Sequence, residues 1–160
     1  EHLVIGSDHA GFAAKEQIKR YLTEQGFIID DKGCLSEESV HYPLYGQAVA
    51  RAVAGGEYAR GILICGTGIG MSVTANRFRG VRAALCHNAF TARCSREHNN
   101  ANILVLGARL LDWPAMREII DIWLTTPFAG GRHAERIALI EQGADERERA
   151  AELKAAAREC

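Results

Sequence analysis

The sequence lacks an excess of charge and lacks any long apolar run, and these absences exclude whole classes of partner. Its 19 Lys and Arg residues and 20 Asp and Glu residues give a formal net charge of −1, so we expect no nucleic-acid partner. No apolar run reaches the roughly 20 residues that cross a bilayer, so we also expect no membrane partner.

Closely spaced cysteines are absent as well. The five cysteines form no C-x-x-C pair, which argues against a disulfide framework, a zinc site and a thiol redox protein. We therefore expect free thiols, no bound metal and a reducing, cytoplasmic location.

The rest of the sequence alternates between short aliphatic runs and longer amphipathic stretches. The runs predict strands at 3–5, 27–29, 62–64, 81–86 and 103–106. The stretches predict helices at 13–25, 42–54, 71–77, 88–97 and 112–124. Strands joined by crossover helices form a mostly parallel α/β sheet covered on both faces. The Ala-, Glu- and Arg-rich segment 141–160 predicts a further helix.

Polar residues follow several of the predicted strands at their carboxyl ends, where parallel sheets bind ligands. Asp8 and His9 follow the first strand, His87 the fourth and Arg109 the fifth. The third strand leads into Cys65 and the turn Gly66-Thr67-Gly68-Ile69-Gly70. This convergence favours a functional site at that edge of the sheet.

The glycine-rich turn after Cys65 matches neither common nucleotide-binding motif. No Gly-Lys-Ser/Thr follows it, and the sixth position is Met71 rather than Gly or Ala. Backbone N–H groups of such a turn suit an oxyanion or a phosphate, and they also stabilise a thiolate. The alternative is a tight strand-to-helix connection in which Cys65 is a small buried side chain.

Two other segments each allow a functional and a structural interpretation. Arg132 and Arg136 lie four residues apart, on one face of a predicted helix, as in a phosphate clamp. Alternatively, one of them pairs with Glu135 on the surface. Asp8 and His9 could orient a sugar hydroxyl or act in proton transfer. Alternatively, Asp8 caps the helix that follows it and His9 is exposed, and both interpretations can hold together.

Taken together, seven segments resemble the ribose-5-phosphate isomerase B family, which also includes galactose-6-phosphate and allose-6-phosphate isomerases. The resemblance runs from Leu3 to about Ile140. The segments are Gly6-Ser7-Asp8-His9-Ala10-Gly11, Tyr42-Pro43, Cys65-Gly66-Thr67-Gly68-Ile69-Gly70, Ala75-Asn76-Arg77, Ser95-Arg96-Glu97-His98-Asn99, Gly107-Ala108-Arg109 and Gly131-Arg132-His133-Ala134-Glu135-Arg136.

This resemblance implies a Rossmann-like, three-layer α/β fold and an aldose–ketose isomerase that uses no metal and no cofactor. Its expected reaction interconverts ribose 5-phosphate and ribulose 5-phosphate, in the pentose phosphate pathway. Cys65 would be the base that moves a proton between C1 and C2, and His98 the acid that opens the sugar ring. Thr67 would pass the hydroxyl proton between O1 and O2.

The resemblance also implies a set of binding residues. Those expected to contact the sugar are Asp8, His9, Tyr42, Gly66, Thr67, Gly68, Ile69, Gly70, Asn99 and Arg109. Those expected to hold the phosphate are His9, Arg132, His133 and Arg136. One branch of the family places a glutamate base just after the turn; Met71 stands there in this chain, which implies the cysteine-base branch.

In the family the site is built between two subunits, so we expect a homodimer or homotetramer in which a partner supplies His98, Asn99 and Arg109. We expect residues 1–143 to form the isomerase domain and 144–160 a helical tail. Two alternatives stay open, namely an isomerase of a six-carbon sugar phosphate and a non-catalytic domain that binds sugar phosphates.

Overall fold

The structure is a computed structural model that describes residues 1–156, except the side chains at positions 148, 152, 153, 155 and 156. The last four positions of the predicted tail, among them Cys160, lie outside the described residues. None of the described helices is both long and apolar enough to span a lipid bilayer.

Five parallel strands form one sheet, as the alternating sequence pattern predicts. They are β1 (His2–Ser7), β2 (Ile28–Asp31), β3 (Gly61–Cys65), β4 (Ala83–Leu85) and β5 (Ile103–Gly107). Their order across the sheet is β2-β1-β3-β5-β4. Every strand pair is parallel, so all carboxyl ends lie at one edge.

Within residues 1–156, six α-helices accompany the sheet: α1 (Phe12–Glu24), α2 (Tyr42–Ala54), α3 (Ile69–Ala75), α4 (Ala89–Glu97), α5 (Trp113–Thr125) and α6 (Arg132–Ala156). Local signals set several boundaries. Asn88 caps α4 through a capping box, and Asp112 accepts the Ala115 N–H to cap α5. Pro43 lies in the first turn of α2, where its missing N–H costs nothing.

Alternating side chains of the strands build a core on each face of the sheet. On one face Ile5, Ile62 and Leu104 pack with residues of α1, α4 and α5, among them the fully buried Trp123. On the other face Val4, Leu63 and Val105 pack with residues of α2 and α3. The prediction of a Rossmann-like sheet with helices on both faces is therefore confirmed.

The predicted C-terminal tail continues a helix that begins well before it. α6 runs without interruption from Arg132 to Ala156. Ion pairs between described side chains join this helix to the segment before β4: Arg79 Nη2 lies 2.6 Å from Asp145 Oδ1, and Arg82 Nη1 lies 2.9 Å from Glu141 Oε1.

Candidate active site

The strand order creates a crevice at the carboxyl ends of β1 and β3. β2 lies beside β1 on one side and β3 lies beside it on the other, so the direction of the strand order reverses at β1. Open α/β sheets bind ligands at such a topological switch point. A cleft of about 490 Å³ opens there. It is lined by Asp8, His9, Ala10, Tyr42, Cys65, Gly66, Thr67, Ile69, Gly70, Val73 and Arg109.

Cys65 is the last residue of β3, and its side chain is only 5% exposed. The N–H of Gly68 donates to Cys65 Sγ across 3.1 Å. The turn therefore directs a backbone hydrogen-bond donor at the sulfur atom of Cys65.

Gly68 allows the turn to fold back onto the sulfur. Its φ of +80° is a left-handed conformation that glycine adopts without strain. A Cβ at this position would also lie 2.4 Å from Leu85 Cδ1. This glycine is therefore required both by the backbone conformation and by the packing under the turn.

The outer part of the turn contacts Tyr42 and exposes Thr67. A Cβ at Gly70 would lie 2.6 Å from the Tyr42 ring, so the ring lies directly against the turn. Thr67 is exposed, and its Oγ1 accepts the Ile69 N–H at 3.3 Å. The Thr67 hydroxyl is therefore held at the mouth of the cleft with its own proton free to be donated.

Asp8 and His9 form the β1 side of the cleft. Asp8 is buried, and its Oδ1 accepts the Gly11 N–H at 3.1 Å, which caps the short 3-10 turn His9–Gly11. The capping role considered for Asp8 is therefore confirmed, and the residue lines the cleft as well. His9 Nδ1 accepts the backbone N–H of Val40 at 3.2 Å.

Arg109 reaches the cleft from its own chain. Its N–H donates to Gly66 O at 2.9 Å, and its Nη1 would lie 3.1 Å from a Cβ placed on Gly66. It lines the same cleft as Cys65. In this chain Arg109 therefore lies at the cleft of its own Cys65, and its supply by a partner subunit stays a prediction.

A second cluster of predicted site residues lies at the end of α4 and the start of α6. The rings of His98 and His133 are stacked, with centroids 4.5 Å apart. Desolvation lowers the pKa of His133, and the charges of His98, Arg132 and Arg136 lower it further, against the opposing effect of Glu97. Within the described part of the chain, neither the members of this cluster nor Asn99 line the Cys65 cleft.

Three other differences from the sequence interpretation concern the lining itself. His87 follows β4 as predicted, but it is exposed and does not line the cleft. Ala10 and Val73 line the cleft and were not predicted. Val73 lies four residues after Ile69 on α3, so the helical period after the turn was the signal that could have identified it.

Comparison with known proteins agrees with this arrangement. The sequence profile described as Ribose/Galactose Isomerase matches residues 3–140. Ribose-5-phosphate isomerase B of Escherichia coli is 45% identical over 138 residues, which are 86% of this chain and 93% of that protein.

Two solved structures are similar throughout. The ribose-5-phosphate isomerase B of Clostridium thermocellum has a TM-score of 0.90 at 46% identity, over 91% of this chain and 99% of that one. The ribose 5-phosphate isomerase of Thermotoga maritima has a TM-score of 0.86 at 50% identity, over 88% and 97% of the two chains. With its profile, relatives and fold in agreement, the chain belongs to the ribose/galactose isomerase family.

Proposed function

We propose that this protein is an aldose–ketose isomerase that interconverts ribose 5-phosphate and ribulose 5-phosphate. The observation that carries the proposal is the thiol of Cys65, buried at the base of the cleft and bonded to the Gly68 N–H. The relatives named ribose-5-phosphate isomerase B support the choice of substrate, because they match nearly the whole length of both chains.

The proposed reaction moves protons between neighbouring atoms of the sugar. The Cys65 thiolate removes the proton from C2 of the open-chain aldose, which leaves an enediolate. Thr67 passes a proton between O2 and O1, and the Cys65 thiol then returns its proton to C1. No electron acceptor enters this scheme, because the substrate is oxidised at C2 as it is reduced at C1.

The cleft supplies groups suited to the charge that develops in this reaction. Backbone N–H groups of the turn from Gly66 to Gly70, together with Arg109, would stabilise the enediolate oxygens. Loss of one such donor costs other enzymes about 3–4 kcal/mol in the transition state. Asp8, His9 and Tyr42, which line the same cleft, would bind sugar hydroxyls.

We propose that a second copy of the chain completes the site, with His98, Asn99, Arg132, His133 and Arg136. His98, His133, Arg132 and Arg136 lie close together in their own chain, and neither they nor Asn99 line its Cys65 cleft. The mouth of the cleft also exposes apolar side chains, Ile69 at 58% and Val73 at 54%, which a partner would cover. In that arrangement His98 donates the proton that opens the ring, and Arg132 and Arg136 hold the phosphate.

The described cysteines support a reducing, cytoplasmic location. Cys34, Cys65, Cys86 and Cys94 are all free thiols, and a thiol that acts as a base must stay reduced.

The experiment that tests the reaction follows conversion of ribose 5-phosphate by the wild type, Cys65→Ala and Cys94→Ala, with a chelator present. Cys94 is the matched control, because it is a free thiol that does not line the cleft. We expect turnover by the wild type and Cys94→Ala and none by Cys65→Ala. Faster turnover of allose 6-phosphate than of ribose 5-phosphate would identify a six-carbon sugar phosphate as the substrate. Binding of a sugar phosphate without turnover would indicate a non-catalytic binding domain.

The shared site has a test of its own. Cys65→Ala and His98→Ala are each expected to be inactive as homodimers. When the two are mixed and exchange subunits, half of the dimers carry one intact site, so about a quarter of wild-type activity should return. Mixtures that stay inactive after subunit exchange would contradict a site built from two chains.

A further inference from the structure

His9 has only one ring nitrogen left for a ligand. Its Nδ1 accepts the backbone N–H of Val40 at 3.2 Å. A backbone N–H donates only, so the nitrogen that it meets must present a lone pair. In a neutral imidazole the other nitrogen then carries the proton. His9 therefore offers an Nε2–H donor, and its Nδ1 is not available to a ligand.

The segment that supplies this N–H is fixed at its start. We call residues 33–41, which join β2 to α2, the 33–41 loop. The Cys34 N–H donates to Ser7 O at 3.0 Å. A Cβ at Gly33 would lie 2.7 Å from Ser7 N, so the loop begins in direct contact with the strand that leads to His9.

A fully buried lysine reinforces that contact. Lys15 Nζ donates to Cys34 O at 2.9 Å and to Asp31 Oδ2 at 2.5 Å, and its side chain is 0% exposed. A buried ammonium is costly unless it keeps all its partners. Lys15 therefore holds the Cys34 carbonyl, and with it the start of the loop, in one position.

The end of the loop is fixed as well. Val40 lies two residues before Tyr42, the first residue of α2. The Tyr42 ring lies against Gly70 of the glycine-rich turn that follows Cys65. The Val40 N–H is thus held between the buried lysine at one end of the loop and the packed tyrosine at the other.

We propose that the 33–41 loop is a positioning element whose Val40 N–H fixes His9 as the Nε2–H tautomer, so that His9 meets the substrate as a hydrogen-bond donor to an oxygen atom. His9 then serves binding and orientation and takes no proton from the sugar. The identity of that oxygen rests on the proposed function, whereas the tautomer does not.

The tautomer is measured directly on the whole protein. A long-range 1H–15N spectrum distinguishes protonated from unprotonated ring nitrogens, and His9→Gln identifies the His9 signals by their disappearance. The pH is set to about 8.5, above the ordinary titration range of histidine. We expect His9 as the Nε2–H form alone. The Nδ1–H form, or a mixture of the two tautomers, would overturn the proposal, whatever the activity of the protein.

Val40→Pro removes the donating N–H, and Val40→Ala keeps it and serves as the control. We expect a mixture of tautomers in Val40→Pro and the wild-type spectrum in Val40→Ala. An unchanged spectrum in folded Val40→Pro, or an equal change in both variants, would overturn the role of this N–H. If Val40→Pro fails to fold, the wild-type spectrum still decides the tautomer.

Kinetics of His9 variants test the donor role. A Gln side chain can place an amide N–H2 near the position of Nε2, whereas the shorter Asn cannot. We expect His9→Asn to raise KM for ribose 5-phosphate about threefold to tenfold with little change in kcat, and His9→Gln to recover part of that loss. An equal fall in kcat for both variants would overturn the proposal in favour of proton transfer by His9. An inactive wild type would instead count against the proposed function.

Discussion

The imidazole ring of His98 is stacked on that of His133, with the two planes 14° from parallel. His98 ends α4 and His133 lies in the first turn of α6, so the stack joins the proposed acid to the helix that carries Arg132 and Arg136. Desolvation and the neighbouring positive charges keep the pKa of His133 below its usual range. The His133 ring that stacks on His98 is therefore uncharged near neutral pH.

We expect this stack to orient His98 rather than to bind the phosphate. His133→Phe keeps a flat ring, so its kcat for ribose 5-phosphate should stay within about twofold of wild type. His133→Ala removes the stack, and its kcat should fall about threefold to tenfold, the size of one aromatic pair. Steady-state kinetics check both variants. A similar rise in KM for Phe and Ala would show instead that His133 contacts the phosphate.

The turn after Cys65 predicts a difference between two glycines with the same backbone conformation. Gly68 and Gly80 have φ of +80° and +77°, but a Cβ at Gly80 would meet nothing within 4 Å. Gly80→Ala should therefore cost only the left-handed strain, about 1–2 kcal/mol of unfolding free energy. Gly68→Ala should cost more, because its Cβ would also meet Leu85 and the backbone of Leu106.

Urea unfolding of the two variants measures this difference. Gly68→Ala should also lose most isomerase activity, because the turn that donates to Cys65 would shift, whereas Gly80→Ala should keep it. Equal loss of unfolding free energy in the two variants would mean that Leu85 and Leu106 can shift without destabilising the protein. The packing under the turn would then not fix the shape of the turn.

Local signals in the sequence were sufficient for much of the fold. The predicted and observed bounds of α2 coincide at Tyr42 and Ala54, because Pro43 marks the start and a glycine pair marks the end. α3 begins at Ile69, two residues earlier than predicted. The reason lies outside the segment: Gly70 fits in the first turn of that helix against Tyr42.

Contacts between distant segments account for what the sequence did not predict. Val40 and His9 are separated by 31 residues, and no local pattern links a loop N–H to a particular imidazole. Arg109 lies at the cleft of its own Cys65 because its N–H donates to Gly66 O, a contact between the segments that follow β5 and β3. Both contacts depend on how strands far apart in sequence are ordered in the sheet, and the periodicity of the sequence does not specify that order.

The ion pair between the fully buried Lys15 and the half-buried Asp31 predicts a loss of stability in acid. Burial alone would raise the pKa of Asp31, but hydrogen bonds from Lys15, Lys19 and the Gly33 N–H outweigh it, and the pKa lies below its ordinary value of 3.8. The folded state therefore binds this proton more weakly than the unfolded state does. The stabilisation is complete above 3.8 and is lost as the pH falls through the lower folded pKa.

Unfolding free energies measured across that acidic range check this expectation. Asp31→Asn should flatten the dependence on pH and lower stability at neutral pH, because Lys15 loses its closer carboxylate partner and keeps Glu16 at 3.2 Å. Glu37→Gln, at an exposed position of the 33–41 loop, is the control and should keep the wild-type profile. A profile for Asp31→Asn that runs parallel to wild type would remove Asp31 as the source of the acid sensitivity.

The C-terminal part of α6 is expected to be dispensable for catalysis. Among the described side chains of α6, a chain ending at Gly143 keeps the ion pair Arg82–Glu141 and loses the ion pair Arg79–Asp145. The lost pair is partly exposed, with side chains 55% and 36% accessible, and such pairs contribute at most about 1 kcal/mol. The shortened chain should keep kcat within about twofold of wild type, with a melting temperature only about 2–4 °C lower.

Asp145→Asn in the full-length chain separates the ion pair from the helix itself. If the pair accounts for the whole effect, this variant and the shortened chain should melt at the same temperature. If the shortened chain loses activity while Asp145→Asn keeps it, residues beyond Gly143 contribute to the site or to the subunit contact that completes it. The proposed boundary between isomerase domain and tail would then be wrong. α6 would have to be treated as one functional element from Arg132 onward, because the arginines proposed to hold the phosphate and the tail residues up to Ala156 share a single continuous helix.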